Sequence, residues 1–406
     1  MDRKIIIVGG GLNGTALALA LASGGLPSVL IDSLPADIRA NPAFDGRAYA
    51  LALSSQRMLA ALGLWSGLKD GAERIAHVKV ADGRPGQGAL GPHLHFDSDE
   101  MDGEGAGFMV EDRHLRPALL GALAAQPLIT HITPAKVVDQ QITTKGAQVT
   151  LEDGRVITGA VLVGCDGRAS SVASRAGITR QGHDYGQTAL VCALQHELPH
   201  HGTAHQLFLP AGPLAVLPLP GNRSSIVWTE STAQAQTINA MDDAGYLAAL
   251  RPVFGDFLGK ICLAGGRFSY PLALSVATEL SRPRLALVGD AAHGIHPLAG
   301  QGLNLGLRDV ASLAEVLIDA ARRGEDIGAA DVLARYASWR RADIASLTLV
   351  TDGVNSLFSN DNPVLRATRS FGLGLVNAIP SLRRRLMDEA AGLSGRLPRL
   401  MRGHRI

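Results

Sequence analysis

Glycines at fixed spacing, with acids beside them, are the residues of this chain whose types and pattern could do chemistry. In Gly9-Gly10-Gly11-Leu12-Asn13-Gly14, the positions Gly9, Gly11 and Gly14 have G-x-G-x-x-G spacing. Glycine there lets backbone N–H groups approach a phosphate, and a following helix adds partial positive charge at its N-terminus. Asp32 follows about 20 residues on, where the acceptor for a ribose 2′-hydroxyl is needed in a dinucleotide site. A second loop runs from Gly289-Asp290-Ala291-Ala292-His293 into His296-Pro297-Leu298-Ala299-Gly300-Gln301-Gly302-Leu303-Asn304-Leu305-Gly306-Leu307-Arg308-Asp309. Its glycines Gly300 and Gly302 and the helix that must follow suit an anion or a planar ring. A third, shorter turn is Gly164-Cys165-Asp166-Gly167.

Each loop needs an element to aim it. Lys4 to Val8 and Ser28 to Ile31 read as strands around an alanine and leucine helix that stops near Gly24-Gly25, which makes a βαβ unit. Gln148 to Glu152 and Arg155 to Ile157 form a hairpin about Asp153-Gly154, leading into the apolar strand Val161 to Val163. Leu285 to Val288 is the strand before the second large loop. Between Tyr185 and Trp228 the pattern is one of short β runs with turns at Gly212-Pro213 and Pro220-Gly221-Asn222, and Leu214 to Leu219 pairs with Ser224 to Thr229. From Leu303 the chain is mostly helical, with a stop at Gly324 and a second long helix from about Asp331. The three loops all follow apolar strands, and ligands in open α/β sheets collect at carboxyl ends of strands. One elongated ligand is expected to span them.

Bulk properties narrow the function class. The chain has 406 residues, 46% hydrophobic and 18% charged, with a formal net charge of +1. That composition fits a well-packed enzyme and gives no basic excess for nucleic acid, so no nucleic-acid partner is expected. Three widely spaced cysteines, Cys165, Cys192 and Cys262, form no C-x-x-C pair, and neither a disulfide framework nor a metal site is expected. The apolar run at the N-terminus is too short for a signal-peptide core, and no stretch is long enough to span a membrane. The expected location is cytoplasmic, with peripheral contact on the inner face of the membrane.

The source of that contact is the C-terminal stretch. Arg366, Arg369, Arg383, Arg384, Arg385, Arg396, Arg399, Arg402 and Arg405 stand there among leucines and other apolar residues, with Asp388 and Glu389 as the only acids. Such a stretch can lie on an anionic lipid surface or dock on a partner; its plain alternative is a helix pair packed on the rest of the chain. His293 and His296 are read mainly as structural residues of the large loop, with acid–base work as the alternative. Trp228 and Tyr270 either line a substrate pocket or are buried for packing alone.

These motifs resemble those of the single-component FAD-dependent aromatic hydroxylases, and within them the ubiquinone-biosynthesis hydroxylase family. His296 to Asp309 fills every specified position of that family's pattern [HN]-P-x-[AS]-G-[QK]-G-x-N-x-G-x-x-D. The resemblance implies a para-hydroxybenzoate hydroxylase-like α/β fold: a Rossmann-like FAD-binding domain, an inserted antiparallel β-sheet substrate domain and a helical C-terminus. The expected boundaries are 1–75, 105–180 and 268–330 for the FAD domain, 76–104 and 181–267 for the substrate domain, and 331–406 for the helical region. It also implies that Gly9, Gly11, Leu12, Asn13 and Gly14 hold the FAD pyrophosphate and Asp32 the adenosine ribose. Asp166 and Gly167 would serve FAD and the nicotinamide donor, Gly289 and Asp290 the ribityl or ribose region, and Arg47 the flavin near its ring. Pro297 would sit beside that ring, with Gly300, Gly302, Leu303 and Asn304 at its N1 and O2 edge. A further flavin contact of the wider class would fall on Asp112, whose acidic character argues against that role.

The implied activity is hydroxylation, through a flavin C4a-hydroperoxide, of the aromatic ring of a polyprenylated ubiquinone precursor. O2 is the co-substrate and NADPH, NADH or a protein reductase the electron donor, and attachment to a ubiquinone-biosynthesis complex is a further implied partnership. Hydroxylation of a small soluble phenol and a non-catalytic flavin-binding subunit are the alternatives. Flavin halogenation fits less well, because the W-x-W-x-I-P element of those enzymes is absent. No side chain stands out in the sequence as a general base, and none is assigned.

Overall fold

The computed structural model describes residues 3–41, 43, 45–98, 104–296, 300–358 and 379–406. Ile5–Val8 is buried at every position, as a strand covered on both faces must be. It lies within a six-stranded sheet of order Ser281–Arg282, Leu285–Leu287, Val161–Gly164, Ile5–Val8, Ser28–Ile31, Ile129–Ile132, parallel except at the Ser281–Arg282 edge. The helix Leu12–Ser23 is buried from Gly14 to Ala22, so its alanines face neighbours all round rather than along one stripe. It packs on the helix Gln301–Arg322, and their shared core includes Leu17, Leu21, Val310 and Leu317. Of the expected elements, the hairpin appears as Ala147–Leu151 and Val156–Gly159, joined by Val137–Ile142 in a small sheet.

A second, larger sheet of nine strands carries the inserted region. Arg180–His196 is its long central strand, flanked by Phe268–Ala277 and Arg223–Ser231. Beyond them come Gly212–Leu219, Thr203–Leu209 and the hairpin His77–Arg84 with Gly88–Asp97. The runs expected to pair do so, and the register that the sequence left open places Leu214 opposite Trp228 and Leu219 opposite Arg223. Phe268–Ala277 is hydrogen-bonded along Arg180–Val191, and the chain returns to the first sheet with Ser281–Arg282 and Leu285–Leu287. A bridge of three strands, Ala48–Ala52, Gly107–Glu111 and Ala72–Ile75, lies between the two large sheets in sequence order.

The C-terminal helices and the segment after them decide how the tail is used. Ala330–Phe358 and Pro380–Ala390 are helices, and the segment after them returns to the main core, where Leu400 and Met401 are buried. Arg399 pairs with Asp319 at 2.5 Å and with Glu315 at 3.5 Å, and Arg396 lies 4.6 Å over the Trp339 ring. Residues 391–406 therefore follow the packed alternative. Arg366 and Arg369 lie outside the described residues, and among the described residues no helix is long and apolar enough to cross a membrane.

Candidate functional site

Three neighbouring parallel strands, Leu285–Leu287, Val161–Gly164 and Ile5–Val8, end side by side, and their register brings the three loops together. The Cys165 N–H donates to the Val8 carbonyl at 2.7 Å, and the Val288 N–H to the Gly164 carbonyl at 3.0 Å. Gly9 has φ +106°, and a Cβ there would strike the Cys165 carbonyl, so the first loop needs glycine both for its conformation and for its approach to the third. A Cβ on Gly14 would collide with the Gly9 carbonyl, which explains the last glycine of the spacing. Asn13 is wedged between Gly289 and Gly306, each of which lies against its side-chain amide. Leu12 and Leu303 pack on the main core and fix the first turns of their helices.

The two helices that open beside these loops are left uncapped. Leu12–Ser23 starts after Gly11, and Gln301–Arg322 after Gly300 in the left-handed region at φ +65°; neither start has a side-chain cap or an acid in its first turn. Open N-terminal N–H groups carry partial positive charge. At Gly11 and Gly302 an added Cβ would meet nothing within 4 Å, so both helix starts face open space. That is the cradle a pyrophosphate and the electron-rich edge of a planar ring require. FAD fits on this observation.

The acids divide into those that hold the site and those that face it. Asp166 turns inward: its carboxylate accepts from the N–H groups of Ser171 and Val172 at 2.7 and 3.1 Å and from the hydroxyls of Ser170 and Ser171. It caps the helix Ser171–Arg175, so the part of the pair left open is the backbone of Gly167, where nothing lies within 4 Å of an added Cβ. Asp290 is half exposed, 3.7 Å from Arg168, which joins the second and third loops. Asp32 is buried against Gly10 and is gripped at both oxygens by Arg39, with the Leu34 N–H at 3.2 Å on one of them. Any ribose hydroxyl that reaches Asp32 shares it with this guanidinium.

Arg47 is half exposed, 2.7 Å from Asp45 and 3.4 Å from Asp112. The Asp45 hydrogen bond raises its already high pKa. Burial would push Asp45 up, but hydrogen bonds from Arg47 hold it below the ordinary carboxylate value. Asp112, set aside on the sequence, accepts from Tyr49 at 2.9 Å and pairs with Arg116 at 2.9 Å, and so anchors Arg47 from behind. Asn304 uses its side chain rather than its backbone alone: it accepts from the Ala52 N–H at 2.9 Å and donates to the Ala50 carbonyl at 2.8 Å and the Gly300 carbonyl at 3.3 Å. The strand after Arg47 is thereby fixed to the start of the loop's helix. Pro297 lies outside the described residues.

Asp309, the last position of the loop pattern, has no exposed surface and was given no role from sequence. It accepts from the Gly289 N–H at 3.0 Å, from His293 Nε2 at 2.6 Å and from Arg340 Nε at 2.7 Å. Burial would raise its pKa, yet His293 and Arg340 together hold it below the usual value. Arg340 lies a helix away, on Ala330–Phe358, and no local spacing announced it. His293 thus ties the loop to its helix, as the structural reading has it. His296 is buried with neither ring nitrogen hydrogen-bonded, and burial pushes its pKa down to about 4. Cys165 is a thiol that burial pushes well up, an inert state.

Beside Gln301 and Asn304 opens a cavity of about 330 Å³ with almost wholly apolar walls. Ala50 and Ala52 form one side, Val78, Val80 and Phe96 of the large sheet another, and Leu347 and Met387 of the C-terminal helices close it. Neither Trp228 nor Tyr270 lines it: Trp228 packs in a separate core with Tyr246, and Tyr270 is exposed.

Comparison with known proteins agrees with this geometry. Residues 2–349 match the family model described as FAD binding domain. The chain is 44% identical to ubiquinone hydroxylase UbiL of Rhodospirillum rubrum, over 98% of this chain and 92% of that protein. It is 36% identical to 3-demethoxyubiquinol 3-hydroxylase of Escherichia coli, over 96% and 98%. Among solved structures, p-nitrophenol 4-monooxygenase PnpA of Pseudomonas putida superimposes with a TM-score of 0.80 at 20% identity, covering 97% of this chain and 99% of that one, a likeness of fold. The chain belongs to the ubiquinone-biosynthesis hydroxylases, a family of FAD-dependent aromatic monooxygenases.

Proposed function

We propose that this enzyme hydroxylates the aromatic ring of a polyprenylated ubiquinone precursor, with O2 as the oxygen source and NADPH, NADH or a protein reductase as the electron donor. The observation that carries the reading is the apolar cavity opening beside Gln301 and Asn304. A space with so little polar wall rewards an isoprenoid chain, at about 25 cal/mol for each Å² of apolar surface removed from water. A small phenol without a tail would leave most of it unfilled.

Bound FAD supplies the redox and oxygen chemistry of the reaction. The protein's part is to bind, orient and exclude water. Gly9, Gly11 and Gly14 with Leu12 and Asn13 would hold the pyrophosphate, Asp32 the adenosine ribose, and Gly289, Asp290 and the Gly167 backbone the middle of the cofactor. Asp166 supports that turn from behind. The first-turn N–H groups after Gly300, at Gly302 and Leu303, would face the ring's N1 and O2 edge and favour negative charge there. Arg47 and Pro297 would flank the ring. Asn304 keeps the two walls of the ring site in register through its three hydrogen bonds.

Membrane contact belongs to the same reading. The helices that close the cavity expose Leu349, Val350 and Leu386, the last two at the cavity's rim, and the second of these helices also exposes Arg384 and Arg385. Apolar side chains with arginines around them suit an anionic lipid surface from which a tailed substrate could enter. Docking on a ubiquinone-biosynthesis complex would use the same face.

The direct test pairs quinone profiling with purified enzyme. Deletion of the gene should accumulate a precursor lacking one ring hydroxyl, and the yellow protein should consume O2 with a tailed phenol far faster than with the same ring lacking the tail. Unchanged ubiquinone in a strain without a second such enzyme, or equal turnover of both phenols, would overturn the assignment.

A further inference from the structure

The hairpin that walls the cavity has a second face with its own chemistry. His77 stands opposite Asp97 across the ladder, and Lys79 opposite His95. With a two-residue period, His77, His95 and Asp97 share the face away from Val78, Val80 and Phe96. One ligand atom from each of the three lies within 4.8 Å of the other two. The imidazole rings are 5.6 Å apart between centroids, and His77 Nδ1 is 3.3 Å from the Asp97 carboxylate. That nitrogen is buried and has no hydrogen-bond partner. A simple cross-strand ion pair would make the hydrogen bond and would not need a second imidazole converging on it.

Two imidazoles and a carboxylate form a ligand set for zinc and similar first-row divalent ions, which bind such atoms at about 2.0–2.2 Å. Closing 4.8 Å to the spacing such bonds demand takes a movement of roughly 1 Å, within the swing of side chains on a fixed ladder. We propose that His77, His95 and Asp97 form a binding site for a zinc-like divalent cation, completed by solvent. His77 and Asp97 are each about one-third exposed, which leaves the ion a path in. His205, on the adjoining strand, does not join the set: its ring packs on Phe257 at 4.6 Å, and burial together with Lys79 holds it neutral. The ion would clamp both strands of the hairpin, whose Asp97 also borders the cavity. Arg383 donates to the His95 carbonyl at 2.9 Å, so the ligand-bearing strand is already tied to the helix that closes the cavity. Nothing in this site depends on which phenol the enzyme oxidises.

The test uses the full-length, FAD-loaded protein, cleared of metal with a chelator and desalted. Titration with Co(II), followed by visible absorption, and with Zn(II), followed by calorimetry, should show one ion per chain. His77→Ala and His95→Gln should each weaken binding at least tenfold, while His183→Ala, at an exposed histidine elsewhere, should leave it unchanged. The site is disproved if the wild-type chain takes up no more Co(II) than the His77→Ala/His95→Gln double variant with equal flavin content and circular dichroism. Should that double variant fold poorly, Asp97→Asn decides, because an amide cannot replace the anionic ligand: unchanged affinity there also overturns the proposal.

Discussion

His293 Nε2 and the Asp309 carboxylate lie 2.6 Å apart with both side chains shut off from solvent, and Arg340 completes the group at 2.7 Å. The Gly289 N–H on the same carboxylate makes this pair the fastening between a strand-end loop and the helix that follows it.

Asp309→Asn should therefore cost stability out of proportion to its size. Removing one member of a buried ionic group leaves the others uncompensated, at about 3–5 kcal/mol. Chemical denaturation should show that loss, together with weaker flavin retention. The pH dependence has a definite sign. The folded pKa of Asp309 is depressed, so its contribution is complete above the unfolded value near ~4 and is lost as pH falls through the lower folded value. The wild-type denaturation midpoint should fall in that acid window, and in Asp309→Asn this component of the fall should be missing.

Two glycines separate folding from binding. Gly302→Ala adds a methyl group to open space in a first helical turn, so the flavin-free protein should keep its stability or gain up to about 1 kcal/mol. FAD affinity should drop at least tenfold, read by fluorescence on dilution. Gly14→Ala should instead lower the melting temperature of the flavin-free protein, since its methyl meets the Gly9 carbonyl. Equal flavin affinity in Gly302→Ala and wild type would remove that helix start from the binding site.

Filling the cavity should distinguish tail from ring. Ala204 is buried in its wall, and Ala204→Phe occupies part of the space. For a phenol with a long isoprenoid tail kcat/KM should fall at least tenfold, while a tail-free analogue should be little changed. A parallel loss for both would mean that the methyls of the cavity serve the ring alone.

Surface charge tests the lipid contact better than truncation does. A chain ending before residue 366 would lose Leu400, Met401 and Ile406 from the core, so its failure to bind would report misfolding. The pair Arg384→Gln and Arg385→Gln keeps the core. At ~1 kcal/mol for each arginine near an anionic surface, vesicle binding should weaken about 30-fold, measured by sedimentation at low salt. Undiminished binding would place the lipid contact elsewhere.

The strands that end in glycine loops, the helices that follow them and the hairpin at Asp153-Gly154 were legible along the chain, because backbone conformation and hydrophobic period are local properties. The cofactor class was legible there too, since Gly9, Gly11, Gly14, Gly300 and Gly302 have to be small where a backbone must come close. What the polar side chains do depends instead on packing between distant elements. Asp166 caps a helix, Asn304 spans to Ala50 and Ala52, and Asp309 meets Arg340, pairings of which the last two cross 252 and 31 positions of chain. Whether an acid faces a ligand or supports the loop behind it depends on which partners the packing brings within 3 Å, and that distance is set by strand order and helix crossing rather than by spacing along the chain.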